Sequence, residues 1–324
     1  MATKRRNGGG VDRVSKKLEA SVERGDYYEA HQMYKTLYFR LMNQNKHAEA
    51  IQLVYAGASL LLEHNQHVSG ADLCMLLVEA FEASGAPVNS ANIAKVTELY
   101  KQVRSDVPER ELFLNAALKW SAKGNPKKGC SHPDLHQQVA LIFWNEKSYA
   151  LSRYHFVHSM DGKQCASMLV EFHTTQGYPS EVDMFITQAV FQLLCRKNTT
   201  TANETFQVYT ESHPNIEKGP PFILPLLNFL WFLLLAIDSG KLVMFTVLCE
   251  KYKPSLQKDP TYNSYLDKIG QIFFGLPPPK PSGPEGIIGN LVQSLFAADI
   301  DDSDEDEAIA AKKPEAELCG LDLD

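Results

Sequence analysis

This 324-residue chain has no CxxC pair, no Gly-Lys-Ser/Thr phosphate loop, no GxSxG elbow and no GxGxxG turn. Those absences remove the usual footholds for redox dithiol, nucleotide, acyl-transfer and dinucleotide chemistry. Its six cysteines (Cys74, Cys130, Cys165, Cys195, Cys249, Cys319) are scattered. They read as reduced thiols rather than as the dense framework of a small secreted domain. Positive charges at Lys4, Arg5 and Arg6 are followed by Gly8-Gly9-Gly10 rather than by an apolar h-region, so the start is not read as a secretory signal. The expected setting is therefore the cytosol, in which the sequons at Asn198 and Asn203 go unused.

A convincing period-two alternation is also missing, and so is a clean membrane span. The uncharged stretch 219–237 opens on Pro220-Pro221 and is interrupted by Pro225 and Asn228. Its continuous apolar part falls short of the roughly 20 residues that cross a bilayer. A helix buried on several sides, or covered by a partner, fits better. There is no surplus of basic residues either, with 32 Lys+Arg against 39 Asp+Glu, which argues against a nucleic-acid binder. The net charge of -7 is carried by seven acids within residues 299–307, so the remainder is close to neutral.

What the chain does contain is helical periodicity. In residues 26–42, Tyr27, Ala30, Tyr34, Leu37 and Leu41 recur at three- and four-residue steps, and Ile51, Val54, Ala58 and Leu61 repeat the pattern after Asn43-Gln44-Asn45. Further amphipathic stretches fall at roughly 69–84, 90–104, 108–123, 133–145, 148–158, 162–174, 181–195, 201–212, 221–238, 241–252 and 260–274. Ser180 is the expected cap of the helix that follows it, with Asp183 near the positive end of its dipole. Gly25, Asn45 and Asn145 each stand five residues before an alanine (Ala30, Ala50, Ala150), as in tetratricopeptide-like helix pairs. Many short helices with short turns bury their faces only by stacking. The expected fold is all-α, a right-handed α-solenoid of antiparallel helix pairs with disordered termini; a compact bundle is the alternative.

The expected organisation is a flexible basic leader (1–10), N-terminal helical repeats (11–145), C-terminal helical repeats (146–275), a Pro-rich linker with a short apolar segment (276–298), and an acidic disordered tail (299–324). No cofactor or metal is expected. Cys130, His132 and His136 lie close together but lack a second ligand pair. Arg13 and Lys17, one turn apart, form a small basic edge that serves either an acidic partner or simple solvation. Ser303, set among acids, is a candidate for an acid-directed kinase.

The segment Gly25-Asp26-Tyr27-Tyr28-Glu29-Ala30-His31-Gln32 resembles the Golgi-to-ER traffic protein four family in its animal form. Looser matches follow at Ser69-Gly70-Ala71-Asp72-Leu73, Asp134-Leu135-His136, Asn228-Phe229-Leu230 and from Asn290 to Phe296. The resemblance implies an α-solenoid scaffold, without enzymatic activity, for targeting tail-anchored membrane proteins to the ER. In this family the N-terminal helices meet a targeting ATPase, which by position would involve Arg13, Lys17 and Asp72. The C-terminal helices hold a ubiquitin-like-domain adaptor and, in animals, a large BAG-domain chaperone scaffold, Scythe. Phe222, Leu226, Phe229, Leu230 and Leu234, on the uncharged helix, are the expected docking residues. No direct membrane span and no nucleic-acid partner are expected. A general interaction scaffold of the proteasome or ubiquitin pathway is the other reading.

Overall fold

The structure is a computed structural model that describes residues 8–125 and 129–278. Among these residues there are fifteen α-helices, two short 3-10 turns and no strand, an all-α architecture. The helices are α1 (Gly8–Glu23), α2 (Tyr27–Asn43), α3 (His47–Glu63), α4 (His67–Ser84), α5 (Ser90–Gln102), α6 (Glu109–Ser121), α7 (Pro133–Asn145) and α8 (Tyr149–His158). They continue with α9 (Gly162–Gln176), α10 (Val182–Cys195), α11 (Thr199–Ser212), α12 (Pro225–Ser239), α13 (Leu242–Lys251), α14 (Lys253–Leu256) and α15 (Thr261–Phe274). Two compact units divide between Val139 and Ala140, inside α7. The acidic tail with Ser303, and all of the Pro-rich segment after Pro278, lie outside the described residues.

In the first unit one joint is used again and again. Gly25, Asn45, Asn65 and Gly85 all have positive φ and stand twenty residues apart. The first three sit at the centre of three-residue turns. After each, an amide reaches back over the turn, Asp26 to the Ser21 carbonyl (2.8 Å), Lys46 to Leu41 (2.9 Å) and Gln66 to Leu61 (2.8 Å). This is the Schellman closure, which satisfies the last carbonyls of one helix and reverses the chain into the next. Glycine and asparagine tolerate the left-handed backbone that the turn requires. Five residues after each turn comes a small, fully packed residue, Ala30, Ala50 and Gly70. Close approach at the crossing explains the size: a Cβ on Gly70 would lie 2.6 Å from the Leu62 side chain. As a result α1 packs on α2, α2 on α3 and α4, α3 on α4 and α5, and α4 on α6.

The second unit reuses the joint at Lys147 and Lys197, with Ser148 closing on the Phe143 carbonyl (2.9 Å) and Asn198 on Leu193 (3.0 Å). Ser152 and Ala202 are its buried small residues. The expected third repeat is therefore displaced by two residues: Lys147, not Asn145, makes the turn, and Ala150 is exposed. The centre of this unit is α10, which packs against α8, α9, α11, α12 and α15. Its Ile186, Val190, Phe191 and Leu194 are wholly buried. Aromatic rings fill much of the remaining core, with Phe191 edge-on to Tyr262 at 5.3 Å and to Phe229 at 6.2 Å.

Several boundaries differ from expectation for local reasons. Helix α1 includes Gly8, Gly9 and Gly10, which the expected flexible leader (1–10) had claimed. Ser180 lies within a 3-10 turn, Pro179–Glu181, and the Glu181 carboxylate instead accepts the Tyr178 amide at 3.1 Å. Asp183, in the first turn of α10, is fully buried, and Lys258 donates to it at 3.0 Å. Helix α12 starts at Pro225 rather than near Pro221, because the residue before a proline is driven out of the helical region; Leu224 has ψ 120. Phe222 thus precedes the helix, and the peptides Gly219–Pro220 and Pro220–Pro221 are cis. Cys74, Cys165, Cys195 and Cys249 are free and buried.

Candidate partner-binding faces

In the first unit the expected site residues divide between two environments. Arg13 and Lys17 are one turn apart on α1, with Lys17 exposed. Asp72 belongs to α4 and is already occupied: one carboxylate oxygen accepts from Lys35 Nζ and lies against His31 Nε2, each at 2.8 Å. Burial pushes the Asp72 carboxyl upward, but the hydrogen bonds from Lys35 and His31 outweigh it and hold the group below the usual carboxylate range. Sequence reasoning passed over Lys35 and His31, whose i, i+4 spacing on α2 was the available signal. The three form a charged cluster bridging α2 and α4.

In the second unit the expected docking residues belong to the chain's own interior. Phe222, Leu226, Phe229, Leu230 and Leu234 are all buried. Phe222 meets Phe206 edge-on at 5.8 Å, and Phe229 meets Tyr252 at 5.7 Å. Asn228, which interrupts the apolar run, has a structural use. Its Oδ1 accepts the Phe222 amide (2.8 Å) and its Nδ2 donates to the Phe222 carbonyl (2.6 Å), so one side chain ties the extended approach to the helix. The side of α12 left open carries half-buried Trp231 and Phe232 and exposed Leu235. A partner reaching α12 meets these residues.

Titratable groups in this unit serve packing. His173 Nε2 meets the Tyr178 carbonyl at 2.9 Å, His213 Nε2 meets His173 Nδ1 at 2.9 Å, and His213 Nδ1 accepts the Asn215 amide at 3.1 Å. Such a relay requires both rings neutral, with each Nε2 donating. Burial, and secondarily the neighbouring His173, lowers the His213 pKa to about 4. Burial also lowers His155 to about 3 and His158 to about 4. The buried thiols of Cys165, Cys195 and Cys249 are pushed up, to about 12, 11 and 12, which suits inert core residues rather than nucleophiles. Among the described residues no group of three or more His, Cys, Asp or Glu is placed to hold a metal ion, and no helix is long and apolar enough to cross a membrane.

Consecutive helices paired through a recurring short turn define an all-helical repeat protein. Comparison with known proteins narrows the class. The family model for Golgi to ER traffic protein 4 matches residues 44–296. The Golgi to ER traffic protein 4 homolog of Oryzias latipes is 55% identical over 309 residues, covering 95% of each chain. That of Homo sapiens is 55% identical over 293 residues, covering 90% of this chain and 89% of its own. In fold, the chain is similar to a solved structure described as the crystal structure of C. therm. Get4. That match has a TM-score of 0.77 at 24% identity and covers 92% of this chain and 100% of the other. The chain belongs to the Golgi to ER traffic protein 4 family.

Proposed function

We propose that this protein is a non-enzymatic cytosolic scaffold in the post-translational targeting of tail-anchored membrane proteins to the ER. Its first unit would engage the targeting ATPase through Arg13 and Lys17 on α1 and the Asp72 cluster. Its second would hold the ubiquitin-like-domain adaptor and the BAG-domain chaperone scaffold Scythe. The observation that carries this reading is family membership over most of the chain. Two compact units also suit a bridge, since one chain holding two partners raises the effective concentration of each near the other.

Adaptor docking is assigned to the open side of α12, at Trp231, Phe232 and Leu235, with the five buried residues Phe222, Leu226, Phe229, Leu230 and Leu234 shaping the helix from within. Ser303 is kept as a modification site in the acidic tail. The test is affinity purification of the full chain from cytosol with stoichiometry by mass spectrometry. Parent protein should bring down all three partners. A Trp231→Glu, Leu235→Asp variant of unchanged helicity should lose adaptor and chaperone but keep the ATPase, whereas Arg13→Glu, Lys17→Glu should do the reverse. Absence of all three from the parent would overturn the reading.

A further inference from the structure

The outward side of α13 is unlike that of any other helix described. Val243, Met244 and Val247 are 67%, 38% and 46% exposed, giving this ten-residue helix more exposed large hydrophobic side chains than any other element among the described residues. Val243 and Val247 are one turn apart, and Met244 lies beside them. Adjacent exposed apolar residues, as opposed to single ones, indicate a surface that something covers. The opposite side of α13 is satisfied by the core, through Phe245, Thr246 and Cys249.

The path of the chain supplies a candidate. After α15 it turns back on α13: Phe274 stacks on Phe245 with centroids 4.7 Å apart, and the Leu276 amide donates to the Gly270 carbonyl at 3.2 Å. Leu276 itself is buried. The described residues thus end beside the helix whose outer face is bare. Eight residues, 279–286, then separate that point from Ile287. Even a stiff polyproline path of about 3.1 Å per residue gives a reach of about 25 Å, more than the roughly 10 Å thickness of a helix.

The sequence that follows the linker has a fitting pattern. In residues 287–296, Ile288, Leu291, Val292, Leu295 and Phe296 share one side at helical spacing, while Gly289, Asn290, Gln293 and Ser294 share the other with Ile287. Such a segment has an apolar side with no partner of its own. Charge is complementary as well. The acidic run starts at Asp299, three residues beyond Phe296, and exposed Lys241, Lys251 and Lys253 flank α13, alongside Asp238 and Glu250.

We propose that residues 287–296 bind in cis, as an amphipathic segment, to the outward face of α13 formed by Val243, Met244 and Val247. The short tether gives the segment a millimolar-range effective concentration, so a modest apolar contact suffices. The inference concerns the isolated chain and does not rest on the partners proposed above.

Its test is site-specific photocross-linking of the purified full-length protein, with p-benzoylphenylalanine in place of Val247 and the products mapped by mass spectrometry. The expected result is a cross-link within one chain to residues 287–296, at a yield independent of protein concentration. Leu291→Asp, Leu295→Asp should reduce that yield by about tenfold or more, since two leucines leave an apolar contact. Both substitutions lie outside α1–α15, and circular dichroism should confirm unchanged helicity. Cross-links to other segments, cross-links between two chains, or a yield unaffected by the double substitution would each overturn the proposal.

Discussion

The two units build helix pairs by the same joint but fill the space between the helices differently. In the first, the joint recurs at Gly25, Asn45, Asn65 and Gly85 with constant spacing, and small residues at Ala30, Ala50 and Gly70 set the crossings. In the second, the joint falls at Lys147 and Lys197, and the leucine-rich interior holds more rings than that of the first, among them Phe156, Phe191, Phe206, Tyr209, Phe229 and Tyr262. A constant period calls for matched helix lengths and matched small contacts. Where large aromatics carry the packing, helix lengths vary and the period disappears.

The sharpest way to break this comparison is to place a charge in the aromatic interior. Leu230→Asp puts a carboxylate at a fully buried site on α12 and should cost about 4 kcal/mol or more, seen as loss of cooperative thermal unfolding by circular dichroism. Leu235→Asp, five residues on and 45% exposed, should stay within about 0.5 kcal/mol of the parent. Equal effects would mean that the inner and outer sides of α12 are misassigned.

Next come the small residues after the joints. Ala50→Leu and Ala202→Leu, each at a fully buried alanine, should destabilise by about 1–3 kcal/mol in urea unfolding. A neutral Ala202→Leu beside a costly Ala50→Leu would show that only the first unit depends on close crossing.

Acid should also separate the units. His155, His158 and His213 have folded-state pKa values lowered by burial to about 3, 4 and 4, from the ordinary imidazole value of about 6.5. Because the unfolded chain takes up these protons first, stability falls as pH drops below about 6.5, by about 1.4 kcal/mol per pH unit for each such group, until the folded values are reached. Asp72, by contrast, is held below its ordinary value of 3.8, so its contribution is present above that value and is lost only at still lower pH. Hydrogen exchange at pH 5 against pH 7 should therefore show faster opening in α8–α11 than in α2–α4. Uniform acceleration would remove the distinction.

The smallest effect tests the turn itself. Lys197 has φ 60, a conformation that burdens a lysine but not a glycine, so Lys197→Gly should stabilise the protein by about 0.5–1 kcal/mol. Asn45→Gly should change little, because asparagine already tolerates that backbone.

Much of the first unit was legible in the sequence because each turn carried a glycine or an asparagine, residues that announce a left-handed position. The third repeat was placed two residues too early because Lys147 gives no such signal. Its side chain is held instead by Glu171, which also accepts from Tyr149 at 2.7 Å and Trp144 at 3.0 Å. Helix periodicity likewise identified α12 but not its orientation. When Leu226, Leu230 and Leu234 point inward and Trp231 and Leu235 point outward, apolar residues occupy both sides and hydropathy cannot tell them apart. The Asp72 cluster was half legible: the carboxylate was singled out, while its partners on α2 were not.

Constant spacing between residues 25 and 85 turns numbering into a map. Two steps of twenty return the chain to the same height, running in the same direction, on the next helix but one. His31 and Asp72, forty-one positions apart, meet at 2.8 Å for that reason. In this region, exchanges of paired residues among relatives should be sought between positions about forty apart, where ordinary helix neighbours at three or four would not reveal them.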